Sequence, residues 1–259
     1  MLARVLVACL CCLVVSGPAR AEVGSWLDLD NSDNTVVFGK VHVPHWIAEP
    51  LVRASNVAGV NPTYVLAVAD KESSLRPFSK ARTSSAEGLF QFIEDTWLYL
   101  ICRYALKHGM AGAAEVVTVE GGRPVLKDPE KRTWLMNLRR DPYISTLMAA
   151  EMIKEHRERL VERTERSPTE TELYLAHFLG LNGAARFVQL LATSPQQSAP
   201  SAFPSAAKAN QSIFYRVKKN RSRIALSVRD VWARFETMIA TRVSRYARLS
   251  DIEVSRTVP

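Results

Sequence analysis

Apolar residues recur at every third or fourth position along most of the chain after residue 45. This spacing is typical of helices that bury one face. The predicted helices cover roughly residues 47–57, 61–73, 94–109, 141–166, 167–180, 182–192 and 227–247. Some of them start with recognised capping sequences, namely Asn61-Pro62, Asp141-Pro142 and Ser167-Pro168-Thr169-Glu170. The pattern therefore indicates a mostly α fold.

The segments between the predicted helices have other compositions. Residues 22–45 hold short β-like runs among Asp, Asn and Gly, and we expect a short irregular or β arm there. Residues 76–88 are rich in serine, residues 116–126 fit a small hairpin or an irregular loop, and residues 194–205 are rich in Pro, Ser and Gln. The sequence therefore predicts an extended arm before the helical domain, and loops within it.

The first 21 residues have the organisation of a secretory signal peptide. Arg4 precedes an apolar run over residues 5–15, and Ala19-Arg20-Ala21 has the form of a cleavage site. The run is too short to cross a bilayer as a helix. A membrane anchor and, at Cys9, a lipoprotein are the alternatives. We expect an exported, periplasmic protein whose mature chain keeps a single cysteine and therefore no intramolecular disulfide.

The composition is that of a globular protein. Of the 259 residues, 47% are hydrophobic and 23% are charged. These values exclude collagen-like, low-complexity and wholly disordered chains. The length suits one domain with an appendage.

Positive charge is concentrated at the C-terminal end. Residues 216–259 contain 11 Lys and Arg against four Asp and Glu, in a chain of formal net charge +8. The predicted last helix also has an apolar stripe, formed by Val228, Val231, Trp232, Phe235, Ile239 and Val243. This basic helix is expected either to dock on the domain or to contact an anionic membrane, a wall polymer or an acidic partner. Nucleic acid is not expected as a partner of an exported protein.

One acidic residue lies on the apolar face of the predicted helix 61–73. At about 100° per residue, Glu72 falls in the stripe that contains Val65 and Val68. Because an apolar environment disfavours the ionised form of a carboxyl group, a Glu at this position can hold a proton near neutral pH and donate it. The other interpretation is an ordinary last-turn Glu that is solvated or paired with Arg76.

Short motifs around Glu72 resemble those of the soluble lytic transglycosylase (SLT) family. Glu72-Ser73 and Gly88-Leu89-Phe90-Gln91 are similar to the Glu-Ser and Gly-Leu-Met-Gln motifs of that family. The order of the surrounding motifs also matches: Asn61-Pro62, Asp141-Pro142-Tyr143-Ile144-Ser145, and Ala176-His177-Phe178-Leu179-Gly180 where the family usually has Ala-Tyr-Asn-Ala-Gly. The resemblance covers residues 46–215 as a catalytic domain and leaves residues 216–259 as a basic C-terminal helical segment.

The resemblance implies a lysozyme-like helical fold with a saccharide cleft and no cofactor. The implied reaction is non-hydrolytic cleavage of the β-1,4 bond between N-acetylmuramic acid and N-acetylglucosamine in peptidoglycan. Glu72 would act first as the acid toward the glycosidic oxygen and then as the base on the muramic 6-hydroxyl. The product would be a 1,6-anhydro end, and one enzyme carboxylate would suffice.

Other residues are candidates for substrate binding: Ser73, Ser85, Gly88, Gln91, Tyr174, His177 and Tyr215. By the resemblance, Gln91 would bind sugar amide groups or brace the Glu72 region, and His177 would replace the tyrosine that positions the catalytic Glu. A half-buried structural histidine is the alternative for His177, and core packing is the alternative for the two tyrosines. Gly88 is expected to let a backbone approach closely. No metal site is predicted, because His42 and His45 have no acidic residue at ligand spacing.

Two other functions stay open. A muramidase-type hydrolase would need a second carboxylate, and Glu87 is the candidate. Asp70 is expected to point away from Glu72, whereas the acids Glu94 and Asp95 are explained by their position at the start of a helix. A non-catalytic peptidoglycan-binding envelope scaffold is the second alternative, because His177-Phe178 replaces the Tyr-Asn pair of the family.

Overall fold

Helices dominate the part of the chain that the computed structural model describes, which is residues 35–218 and 221–249. The helices are α1 (His45–Ala58), α2 (Pro62–Ser73), α3 (Glu94–Tyr104), α4 (Ala111–Glu115), α5 (Arg132–Asn137), α6 (Pro142–Thr164), α7 (Glu170–Thr193), α8 (Ala199–Ala202), α9 (Pro204–Ala209), α10 (Gln211–Phe214) and α11 (Val228–Tyr246). The mostly α class is confirmed. The predicted signal peptide at residues 1–21 and the beginning of the predicted arm lie outside the described residues.

Three antiparallel hairpins accompany the helices in the described residues. Their strands are β1 (Thr35–Phe38) with β2 (Val41–Pro44), β3 (Val117–Glu120) with β4 (Arg123–Leu126), and β5 (Tyr215–Val217) with β6 (Arg223–Ala225). The second hairpin confirms the prediction for residues 116–126, with a turn at Gly121 and Gly122, both at positive φ. In the first hairpin, Phe38 and Val43 are buried in the same core as the helices.

Two predicted helix starts are confirmed and a third is displaced. The side chain of Asn61 accepts a hydrogen bond from the backbone N–H of Thr63, and Asp141 caps α6 in the same way. The predicted box on Ser167 is wrong by two residues, because Thr169 and Glu172 form the reciprocal capping box of α7. Both pairs have the Ser/Thr-x-x-Glu spacing, so the sequence pattern alone did not separate them.

The predicted helices 167–180 and 182–192 are the two arms of α7. Gly180 joins them with φ 71° and ψ 165°, which is far from helical geometry. The sequence placed a helix end at this glycine, and the structure has a kink there. One further prediction is wrong, because the predicted loop 194–205 contains α8 and the start of α9. The β5–β6 hairpin was not predicted. These elements are too short to show a period.

The core forms where the long helices meet. α1 packs along α6, α6 packs on α7, and α11 packs across α2 and α7. Four of the stripe residues of α11 are buried, namely Val228, Val231, Phe235 and Ile239, while Trp232 and Val243 are partly buried against the same core. Burial of each such side chain contributes roughly 1.5–3 kcal/mol, so α11 is docked by its apolar face. None of the helices in the described part is both long and apolar enough to span a bilayer.

Candidate functional site

Glu72 lies in the last turn of α2, at the edge of the core. Val65 and Val68 on the same stripe are buried and the Glu72 side chain is only 16% exposed, so the predicted place of Glu72 on this stripe is confirmed. The alternative pairing with Arg76 is wrong, because the Arg76 Nε donates to the carbonyl of Ser73 instead (3.1 Å). The Glu72 carboxyl group is therefore part-buried, and its partner is a residue other than Arg76.

Tyr174 of α7 holds one oxygen of this carboxyl group. Its hydroxyl donates to Glu72 Oε1 at 2.7 Å, and its ring is almost completely buried beside Phe235. Burial and the nearby negative charge of Glu72 raise the pKa of Tyr174, so this hydroxyl keeps its proton and remains a donor. Tyr174 thus positions the carboxyl group of Glu72. It was predicted to line the cleft, but it is not among the residues that line the adjoining groove.

The second oxygen of Glu72 is left available. Within residues 35–218 and 221–249, no donor forms a hydrogen bond to Oε2. His177 approaches Oε1 with its Nε2 at 3.7 Å, which is beyond hydrogen-bond distance. The positioning contact predicted for His177 is therefore made by Tyr174, one helical turn earlier on α7.

A groove of about 630 Å³ adjoins this position. Its walls come from the segment before α3, from α3 itself, from α6 and from α7, and they include Gln91, Ile93, Asp95, Tyr99, Met152, Glu155, His156, Arg159, His177 and Leu181. Two of the predicted substrate-binding residues, Gln91 and His177, line it. Because His177 both lines the groove and lies beside Glu72, the carboxyl group is next to the groove wall.

Gly88 and Gln91 shape the loop between α2 and α3. Gly88 has φ +86°, and a Cβ there would lie 2.1 Å from the carbonyl oxygen of Arg139, so the predicted close backbone approach is confirmed. The Gln91 Nε2 donates to the carbonyls of Ser79 (3.1 Å) and Gly88 (2.9 Å). The Gln91 amide nitrogen therefore braces this loop.

Three other candidate residues are not brought to the groove. The Ser73 hydroxyl donates to the carbonyl of Ala69 on its own helix (3.1 Å). The Ser85 hydroxyl accepts from the backbone N–H of Glu94 at the start of α3 (3.1 Å). Tyr215 opens strand β5 and packs against the core. Each of them has a structural contact in place of a position on the groove wall.

Glu87 is buried in an ion-pair cluster and does not line the groove. Its Oε2 accepts from Arg139 at 2.9 Å, and its Oε1 is held by Arg140 at 2.6 Å. Arg139 is itself buried and also donates to the carbonyls of Ser85 and Phe92. The role considered for Glu87, a second carboxylate at the cleft, is therefore corrected to that of an anchor for the loop.

Glu155 is an acidic residue of the groove that was not predicted from the sequence. It is buried in the second half of α6 and accepts hydrogen bonds from the hydroxyls of Tyr99 (2.6 Å) and Tyr104 (3.0 Å). Burial acts to raise the pKa of Glu155, but these hydrogen bonds and the charge of Arg159 outweigh it and lower the pKa. The spacing Met148, Met152, Glu155 places this residue on the apolar face, so the helical period could have revealed it.

Asp70 forms ion pairs with two arginines of α11. It points away from Glu72, as predicted, but toward α11, where it pairs with Arg245 (2.7 Å) and Arg242 (3.5 Å). Arg234, a third cation of α11, donates to backbone carbonyls, including that of Ser212. These cations of the basic helix are therefore engaged within the domain.

His156 is a titratable residue of the groove wall. In the His156→Gln variant, the free energy of unfolding is expected to decrease less as the pH is lowered from 7 to 4. Burial, and next the charge of His177, lower the pKa of His156 from its ordinary 6.5 to about 4. The unfolded chain binds this proton below pH 6.5, whereas the folded protein does not until about pH 4. The free energy of unfolding of the wild type therefore decreases as the pH falls from 6.5 toward 4. This decrease should be about 3 kcal/mol larger in the wild type than in His156→Gln.

Urea unfolding at several pH values between 7 and 4 measures this difference. At pH 7 the imidazole and the amide are both uncharged, so any gap between the two proteins at that pH reports lost packing and serves as the internal control. Parallel curves of unfolding free energy against pH would contradict the prediction.

No protein-family model matches the chain. Among the residues that the structure describes, no group of three or more His, Cys, Asp or Glu side chains is placed to hold a metal ion. The chemistry that the site supports is therefore judged from Glu72, its tyrosine partner and the adjoining groove.

Proposed function

We propose that this protein is a peptidoglycan lytic transglycosylase with a lysozyme-like helical domain. The observation that carries the proposal is a part-buried carboxyl group, Glu72, next to a groove; Tyr174 holds one of its oxygens, and no hydrogen-bond donor in the described residues contacts the other. The resemblance of Glu72-Ser73 and of the run 88–91 to the SLT motifs supports the same assignment. We further propose the periplasm as its location, since residues 1–21 have signal-peptide organisation.

In the proposed reaction, Glu72 transfers one proton in each of two steps. Its carboxyl group first protonates the oxygen that links N-acetylmuramic acid to N-acetylglucosamine, while the substrate's own N-acetyl group assists at the anomeric carbon and the glycosidic bond breaks. The Glu72 carboxylate then removes the proton of the muramic 6-hydroxyl, whose oxygen bonds to the anomeric carbon. The enzyme ends as it began, and no water is consumed.

The environment of the other acidic residues favours this reaction over hydrolysis. A hydrolase of the usual kind needs a second carboxylate at about 5–9.5 Å from the first. Glu87 is held by two arginines, and Glu155 by two tyrosine hydroxyls and Arg159.

Asp95 lines the groove and has no such partners in the described residues, so it is the carboxylate that a hydrolase would use. A muramidase that uses Glu72 and Asp95 is the second candidate function.

A non-catalytic envelope scaffold is distinguished by a zymogram. Gels that contain purified peptidoglycan sacculi are expected to show a cleared band where the wild-type protein has refolded. If the refolded wild type binds the sacculi without clearing them, the enzyme proposal fails and the scaffold takes its place.

We propose that contact with an anionic membrane or wall polymer is made mainly by the β5–β6 hairpin. Arg216, Lys218, Arg221 and Arg223 of this hairpin region are exposed, whereas Arg242 and Arg245 of α11 are paired with Asp70. Exposed cations attract anionic surfaces more strongly than cations that are already paired.

Tyr174→Phe is expected to lower the turnover number about 10–100-fold with little change in KM, because a hydrogen bond to a charged group is worth about 1.5–3 kcal/mol. The ring keeps its packing beside Phe235, so the fold should persist. The measurement is a steady-state assay across pH, since a residue that acts through Glu72 should also displace the pH profile. Tyr143→Phe, at a ring stacked by Arg53, is the matched control. An unchanged turnover number and pH profile would remove Tyr174 from the mechanism.

A further inference from the structure

Two exposed aromatic rings mark a second cavity, of about 920 Å³. Trp46 at the start of α1 is 40% exposed and Phe78 in the loop after α2 is 68% exposed. Their ring centroids lie 6.4 Å apart and the ring planes are tilted by 36°. Single exposed apolar side chains are common on protein surfaces, whereas adjacent exposed aromatic rings are typical of a ligand-binding or protein-binding surface.

Polar and cationic side chains surround the two rings. Lys40, His42, Arg76 and Ser79 line the same cavity. Its one acidic residue in the described part of the chain, Asp70, is neutralised by Arg245 at 2.7 Å. The cavity therefore combines an aromatic floor with hydrogen-bonding groups and an excess of positive charge.

This cavity is a neighbour of the groove, and the loop between α2 and α3 contributes residues to both. Ser79 lines the cavity, and its carbonyl accepts the hydrogen bond from Gln91, which lines the groove. Ser74, the C-cap residue of α2, also lines the cavity. The Glu72 carboxyl group, within one turn of chain, is 3.7 Å from His177 of the groove wall.

We propose that the Trp46–Phe78 cavity is a saccharide platform that binds sugar rings of the glycan strand adjacent to those held in the groove. The inference rests on the proposed function, which supplies the substrate class. One face of an N-acetylhexosamine ring presents C–H groups that pack on aromatic rings, while its hydroxyl and acetamido groups need polar partners at the edge. Lys40 and Arg76 would face the carboxylates of the peptide stems that peptidoglycan strands carry.

The test measures saccharide affinity apart from turnover. The probe is the linear hexasaccharide of N-acetylglucosamine, titrated by calorimetry into the full chain carrying Glu72→Gln, which prevents cleavage. Adding Phe78→Ala or Trp46→Ala is expected to raise Kd by about tenfold or more, because buried aromatic anchors dominate binding energy. Phe78→Trp should restore most of the affinity, since it replaces one ring by another.

Trp134→Ala is the matched control, because Trp134 on α5 is equally exposed (46%) and lines neither cavity. It should leave Kd within about twofold of the parent, as expected for a residue outside the contact. Unchanged affinity in both aromatic variants, or no binding of the hexasaccharide at all, would overturn the platform. If both variants lose affinity while the wild type never clears sacculi, the platform stands and the proposed lytic function fails.

Discussion

Glu72→Gln is expected to reduce the rate of glycan-strand cleavage by about 10²–10⁴-fold, the range for loss of a general acid–base group. The amide has the shape of the carboxyl group and can still accept the hydrogen bond from Tyr174, so the fold and the groove should persist. It can neither donate nor accept the transferred proton. Both steps of the proposed reaction therefore lose their only proton carrier on the protein.

The rate is measured as release of soluble fragments from purified sacculi, with thermal unfolding of the same samples as the check on folding. Glu115→Gln, at an exposed Glu in α4, is the control and should leave the rate unchanged. Equal release by the Glu72→Gln variant and the wild type would show that Glu72 is not the acid and base.

Glu87→Gln is expected to lower the free energy of unfolding by about 3–5 kcal/mol, the usual effect of removing one partner of a buried ion pair. The Arg139 guanidinium is buried, and Glu87 supplies its counter-charge at 2.9 Å. With Gln in place, that positive charge stays in the core with only carbonyl oxygens around it. The loop that carries Gly88 and Gln91 should loosen with it.

Chemical denaturation measures this change, and Glu94→Gln is its control. Glu94 pairs with Arg132 near the surface, where an ion pair contributes about 0–1 kcal/mol. If Glu87→Gln is as stable as the wild type and yet has lost lytic activity, Glu87 takes part in the chemistry and its assignment as an anchor is wrong.

The parts of the site that the sequence predicted correctly depend on local rules. The caps at Asn61 and Asp141 are decided by side chains within three residues, and the position of Glu72 on the stripe of Val65 and Val68 follows from one helical period. Gly88 belongs to the same group, because a glycine at the end of a loop of small residues indicates a close backbone approach. In each case the information lies within one or two turns of chain.

The parts that were missed depend on contacts between distant segments. Tyr174 reaches Glu72 across 102 positions, and Arg139 reaches Glu87 across 52. No periodicity within a helix indicates that the tyrosine of α7 will contact a carboxyl group of α2, so Tyr174 was assigned to the cleft. Trp46 and Phe78 were overlooked for the same reason, because they become a pair only when α1 packs beside the end of α2.

The mass of the cleavage products tests the central claim, non-hydrolytic cleavage by Glu72 alone, most directly. Purified glycan strands are digested in water enriched in oxygen-18 by the wild type and by Glu72→Gln, and the fragments are analysed by mass spectrometry. We predict wild-type fragments with unlabelled 1,6-anhydro ends, one water lighter than reducing ends, and none from the variant. Labelled reducing ends would identify a hydrolase and contradict the claim, and so would the same anhydro fragments from both proteins.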